Sequence, residues 1–203
     1  MLGGMSDGPP ENAPEAILEL ASACTRYVKR ALSIELDYTP DTLPLLDHYL
    51  RSASGISQEE VLSLVAPAAG AYFGEVVRRQ LGPCRWHWLE GDFSACRLEF
   101  ERCFLSFNPM GSALAAILGS DAEHYGGQLS LLPEDEAIVK ESLERVGEVS
   151  AEDYYRLAVR YEAIEQVVSL LIEKAIATNE LSRRFGPDVY AALREQKGSG
   201  LLH

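Results

Sequence analysis

The stretch APAAGAYFGEVVRRQLGPCRWHWL, Ala66 to Leu89, changes its repeat in the middle. Val65, Ala68, Ala69, Tyr72, Phe73, Val76 and Val77 cover most of the circumference of a helix, so a largely buried helix is expected. After Leu81-Gly82-Pro83 the repeat drops to two, and Cys84, Trp86 and Trp88 share one face of a strand. Gly70 and Gly74 each cost the helix about 1 kcal/mol relative to alanine, which predicts another part of the fold packed close against them. Pro67 predicts a kink or a break near Ala66.

On the C-terminal side the period of two continues. Glu90-Gly91-Asp92 supplies a turn, Cys96, Leu98 and Phe100 share a face, and so do Cys103, Leu105 and Phe107, with Arg97, Glu99 and Glu101 opposite. The pattern predicts a three-stranded antiparallel meander with one buried face, which helices must cover. Asn108-Pro109 closes the sheet, a short apolar helix follows over 111–119, and Gly119–Gly127 reads as a loop. Pro133-Glu-Asp-Glu opens a helix with acids in its first turn, ending near Gly147. The longest helix is expected over 151–183, where Tyr154, Leu157, Tyr161, Ile164, Val168 and Leu171 form a packing seam. That seam either is buried within one chain or is shared between two. Gly186-Pro187 opens a last short helix, and 198–203 should fray.

On the N-terminal side, residues 1–13 have no apolar period and read as a disordered leader. Ile17, Leu20, Ala21, Cys24, Val28, Ala31 and Leu32 predict an amphipathic helix over 14–34. Thr39 is placed as N-cap and Pro40 at the first position of a second helix, which Gly55 ends. Ser57-Gln-Glu-Glu60 has the capping-box spacing that opens the third, over 58–81. The expected fold is therefore α+β: a mainly helical domain over 14–197 packed on a small three-stranded antiparallel meander.

With 31 acidic against 18 basic side chains the formal charge is −13. The averaged field repels phosphate backbones and anionic lipid, so neither nucleic acid nor membrane is expected as a partner. The first residues lack the basic and apolar regions of a signal peptide, and no run of about 18 consecutive apolar residues is evident. A cytoplasmic location is expected, with Cys24, Cys84, Cys96 and Cys103 reduced.

Four groups of residues are candidates for chemistry. Glu75 lies inside an apolar helix with Arg78 and Arg79 at i+3 and i+4, and Arg85 and Trp86 follow on the strand. Such a set is either an anion-binding or proton-transfer pocket or an ion pair that orients the helix on the sheet; the second is favoured, because no nucleophile or second acid stands beside it. Cys84, His87, Cys96 and Cys103 are weak zinc candidates, because residues three apart on a strand point to opposite faces. His48, His87 and His124 are dispersed and match no catalytic spacing. Tyr72, Phe73, Trp86 and Trp88 suit either an aromatic pocket or the core. No cofactor is expected, and no catalytic residue is identifiable.

The set LDYTPDTLPLLDHYLR, AGAYFGEVVRRQLG, RWHW and EDYYRLAVRYEAIEQVV resembles an uncharacterised bacterial protein family with D-Y-T/S-P, A-Y-x-G-E-V-x-R-R and R-W motifs, over about 34–172. The resemblance implies a cytosolic bacterial origin and a shared α+β domain, and it brings no reaction; Glu75, Arg79 and Trp86 match its pattern. The expected function is a non-enzymatic protein-binding, adaptor or immunity-type module, with a protein partner or self-association through the long helix. The alternative is a small enzyme or ligand-binding domain with an anion pocket around Glu75, Arg79 and Trp86.

Overall fold

A computed structural model describes residues 13–52, 57–122, 125–145, 149–150 and 152–199. Residues 1–12 of the expected leader and residues 200–203 lie outside these; Ala13, expected in the leader, is buried in the core, and the end expected to fray from 198 is helical to Ser199. Helix α1 (Glu15–Leu32) turns Ile17, Ala21, Cys24 and Val28 inward and ends at Ser33 in the left-handed conformation. A 3-10 turn (Pro40–Thr42) leads into α2 (Leu43–Ser52), which buries Leu43, Leu46, Asp47 and Leu50. Thr39 makes no side-chain cap; Asp37 Oδ1 organises the turn instead, accepting from the Thr39 N–H and from the Thr39 and Thr42 hydroxyls.

A single turn, α3 (Gln58–Glu60), passes through a π-helical stretch (Val61–Val65) into α4 (Ala66–Gln80). Half of the predicted capping box forms, with the Glu60 N–H donating to Ser57 Oγ at 3.3 Å. The widened turn stands where a kink or break was expected, and it carries Pro67 on in helical conformation rather than ending the helix. Every residue from Ala66 to Val77 is buried. By length and mean hydropathy alone Val61–Gln80 could cross a membrane, although Ser63, Glu75, Arg78 and Arg79 interrupt its apolar run. Its most apolar window is 78% buried in the fold, as in the core helix of a globular domain.

The sheet has four antiparallel strands in sequential order: β1 (Cys84–His87), β2 (Arg97–Phe100), β3 (Leu105–Phe107) and β4 (Ser130–Leu131). The expected meander lacks only β4, whose two residues are too few to carry a period. Trp86 lies opposite Leu98, Leu98 opposite Phe107, and Leu105 opposite Leu131. Trp88 falls just outside β1, half-buried beside Phe93 at 5.8 Å between centroids.

Helix α5 (Pro109–Leu118) starts two residues before its expected position, because Asn108 is a buried N-cap. Its Oδ1 accepts from the Met110 and Gly111 N–H groups while its Nδ2 donates to the Phe93 and Ser94 carbonyls, so one amide joins helix and hairpin loop. Helix α6 (Pro133–Arg145) packs on α7 (Leu157–Ala177), which also meets α2 and α5. The helix expected over 151–183 is shorter at both ends, with turns before Arg156 and after Ala177. Helix α8 (Pro187–Ser199) follows an exposed connection.

The core lies between α1, α4, α5 and α7 and the inner face of the sheet. The outer face was expected to be open. Instead Glu99, Ser106 and Phe104 are buried, and Phe185 and Tyr190 at the start of α8 pack with Phe104. A Cβ on Gly70 would lie 2.5 Å from Met110 Cα, and one on Gly74 would lie 2.2 Å from the Trp86 ring. Gly70→Ala gains helix propensity but drives a methyl into backbone that cannot rotate aside. We expect it to destabilise the fold by about 1–3 kcal/mol net in urea unfolding, against the roughly 1 kcal/mol gain that propensity alone gives.

Candidate functional site

Glu75 stands on the third turn of α4, where the helix meets β1. It is fully buried. Arg78 grips both carboxylate oxygens, its Nε donating to Oε1 at 2.7 Å and its Nη2 to Oε2 at 3.0 Å. The Arg79 Nε donates to Oε2 at 3.3 Å, and the Trp86 indole N–H donates to Oε1 at 2.9 Å. Burial alone raises the Glu75 pKa; the hydrogen bonds from Arg78 and Trp86 and the positive charges of Arg78 and Arg79 outweigh it and hold the carboxyl below its ordinary value. The group is an anion already supplied with cations.

The cage extends outward through Arg79, whose guanidinium lies 3.8 Å from the centroid of Tyr38. The Tyr38 ring lies tilted against Tyr72 with centroids 4.8 Å apart, and the Tyr72 hydroxyl accepts from the Tyr38 N–H and shares a hydrogen bond with Thr42. Tyr38 has a left-handed backbone, φ 63°, uncommon for an aromatic residue and held here by its ring contacts and by Gln80 donating to its carbonyl. The D-Y-T-P segment is thus tied to the A-Y-x-G-E-V-x-R-R helix by side-chain contact.

Arg85 does not join this group. Strand alternation turns it to the opposite face of β1, where its Nη2 donates to Glu99 Oε2 at 3.0 Å and its Nη1 to the Phe185 carbonyl at 2.9 Å. The expected five-residue cluster is therefore split between two sides of the sheet, with Glu75 paired to Arg78 and Arg79 on one and Arg85 paired to Glu99 on the other.

Cys84, His87, Cys96 and Cys103 are not gathered into a metal site; among the described residues no group of three or more His, Cys, Asp or Glu side chains is arranged to hold an ion. All four cysteines are free and buried, and burial pushes the thiols of Cys24, Cys96 and Cys103 up to about 12 and that of Cys84 further still. His48 is exposed, His87 is half-buried, and His124 lies outside the described residues. Tyr72, Phe73 and Trp86 are core residues.

The seam of α7 is spent inside the chain. Leu157, Tyr161, Ile164, Val168 and Leu171 are buried against neighbouring elements, and only Tyr154, at 49% exposure, faces outward. Five of the six seam positions are thus covered by elements of the same chain, and Tyr154 is the one left at the surface.

Sequence reading missed the third buried acid. Asp47, on α2, accepts from the Leu157 N–H at 2.7 Å and the Ala158 N–H at 3.1 Å, capping α7 from 110 residues away. Its only signal was an acid in the apolar run of a short helix. Desolvation raises its pKa, and the two N–H bonds and the charges of Arg156 and Arg51 offset that only in part. A fourth, Asp135, pairs with Lys174 between α6 and α7.

Beside that pair is a small open cleft of about 70 Å³, lined in part by Arg102, Asp135, Lys174, Glu180, Arg183 and Phe185. Ligand pockets run from about 300 Å³ upward, and Glu75, Arg79 and Trp86 do not line this one.

No protein-family model, curated protein or solved structure matches this chain.

Glu75→Gln leaves three donors around a neutral amide, and we expect a loss of about 3 kcal/mol in chemical denaturation at pH 7. Because the native carboxyl sits below its ordinary 4.5, its contribution is complete above that value and is lost as pH falls through the native pKa. The melting temperature of the parent should therefore fall more steeply below pH 4.5 than that of Glu75→Gln. Asp47→Ala strips the cap from α7 and should cost about 1–2 kcal/mol by the same measurement.

Proposed function

We propose that this chain is a non-enzymatic binding module of the adaptor or immunity type, acting in the cytosol on a basic protein partner. The observation that carries this reading is the enclosure of Glu75: the acid best placed for chemistry has both oxygens occupied by Arg78, Arg79 and Trp86 and no exposed surface. An enzyme needs polar groups converging on a cleft with bonds left to make. The internal acids described above serve helix caps and ion pairs, while the surplus negative charge lies outside. Helices α6 and α7, packed side by side, present Glu136, Glu141, Glu144, Glu162, Glu165 and Glu173 at exposed positions. A surface of this sign steers a basic partner and speeds its encounter. Four unpaired cysteines suit a reducing compartment.

Native mass spectrometry of the untagged protein, taken gently from its source cell, tests the reading. We expect a partner chain bound in fixed ratio, released as salt rises, with its association rate cut on the order of tenfold by Glu141→Lys with Glu144→Lys at low ionic strength. A small molecule or metal bound in fixed ratio, and lost in folded Glu75→Gln, would overturn the reading.

A further inference from the structure

Helix α8 is attached differently from the rest of the fold. Phe104, Phe185 and Tyr190, with Leu132, Val189 and Leu193 around them, form an apolar cluster separate from the main core. Tyr190 stacks on Phe104 at 4.5 Å, and Phe185 meets the same ring edge-on at 5.8 Å. The polar contacts are specific. Buried Tyr190 accepts from the Leu105 N–H at 3.1 Å and its hydroxyl reaches the Phe100 carbonyl at 2.7 Å; the Phe185 N–H donates to the Glu101 carbonyl, and Arg85 donates to the Phe185 carbonyl. This is a socket shaped for one segment of this chain.

The tether to that socket is loose by comparison. From Thr178 to Arg184 every residue is exposed, and Asn179 takes a left-handed turn immediately after α7. The hydrogen bonds along this connection run within it or back to the last turn of α7, until Phe185 docks. Closure also has a cost inside the socket, where the buried Nε of Arg85 has no acceptor. A segment with specific docking contacts, a small core of its own and an exposed hinge is the arrangement in which identical chains exchange elements, because the exchanged contacts equal the ones given up.

We propose that α8 is an exchangeable latch and that the alternative occupant of its socket is α8 of a second copy of this chain. The only new contacts needed lie at the hinge, so the balance between closed monomer and exchanged dimer is set by tether length. A short flexible tether holds its own α8 at an effective concentration on the order of millimolar, which keeps the dilute protein closed. Self-association then runs through α8 rather than through the buried seam of α7. This exchange is independent of the basic partner proposed above and of the charge on α6 and α7.

Removing Asn179 to Arg183 shortens the tether by up to about 17 Å of reach, which penalises self-closure, while the lost Arg183 contact over Phe185 and the lost Glu180 bond to Ala175 weaken the closed and exchanged forms alike. The full chain and this deletion are to be compared by size-exclusion chromatography with light scattering up to about millimolar concentration, with circular dichroism as the check of folding. The full chain should form a minor dimer that grows with concentration, the deletion a predominant one, and Tyr190→Ala added to the deletion should return it to monomer. A folded deletion that stays monomeric, or a dimer indifferent to Tyr190→Ala, would overturn the exchange. Should the deletion not fold, the full chain is held at about millimolar concentration just below its melting temperature and cooled; a dimer surviving dilution, and absent in Tyr190→Ala, is then expected, and its absence in the full chain counts against the proposal.

Discussion

The hydrogen bond from the Trp86 indole to Glu75 holds the two halves of the fold together. It joins the buried helix to the first strand, and it exists only because Gly74 leaves room for the indole's benzo edge to come up against α4. Without a Cβ there, ring and backbone reach van der Waals contact and the N–H finds a carboxylate one residue along the helix. Arg78 and Arg79 then neutralise that carboxylate, so a charge that would be ruinous in isolation is tolerable at full burial. Arg79 passes the constraint on to Tyr38, and Tyr72 passes it to the entry of α2.

The same device recurs with different parts. Arg85 and Glu99 sit on the outer face of the sheet, Asp47 caps α7, and Asp135 pairs with Lys174 between α6 and α7. Asp47 and Asp135 tie together segments distant in sequence, and Arg85 links two neighbouring strands while its second nitrogen reaches the Phe185 carbonyl. Partnered buried charge contributes little net stability against an apolar substitute of the same shape, but it penalises misaligned packing heavily. In a core built largely from Ala, Val and Leu, these pairs fix which helix face meets which strand.

Much of this was legible in the sequence. The three- and four-residue steps of α1, the period of two from Cys84 to Phe107, and Glu75 with arginines at i+3 and i+4 are local patterns, and local patterns survive reading one residue at a time. Placing Arg85 with Glu75 was an avoidable error, since alternation on β1 puts Arg85 and Trp86 on opposite faces. What was not legible is non-local. Asp47 looks like any helix acid until α7 arrives over it, and the outer face of the sheet looks open until Tyr190 folds back on it. Strand β4 is two residues long and exists only because β3 offers it an edge. The seam of α7 was visible, but a seam does not say whether the chain that covers it is its own.

The Trp86–Glu75 contact is a permanent part of the core rather than a site that opens. Hydrogen exchange of the Trp86 indole N–H, followed by nuclear magnetic resonance, tests this directly. Exchange is expected only through global unfolding, with the indole protected as strongly as the slowest amides of α4 and equally sensitive to denaturant. Exchange through a local opening, much faster than those amides and indifferent to low denaturant, would contradict it and return Glu75 to the list of groups available for chemistry.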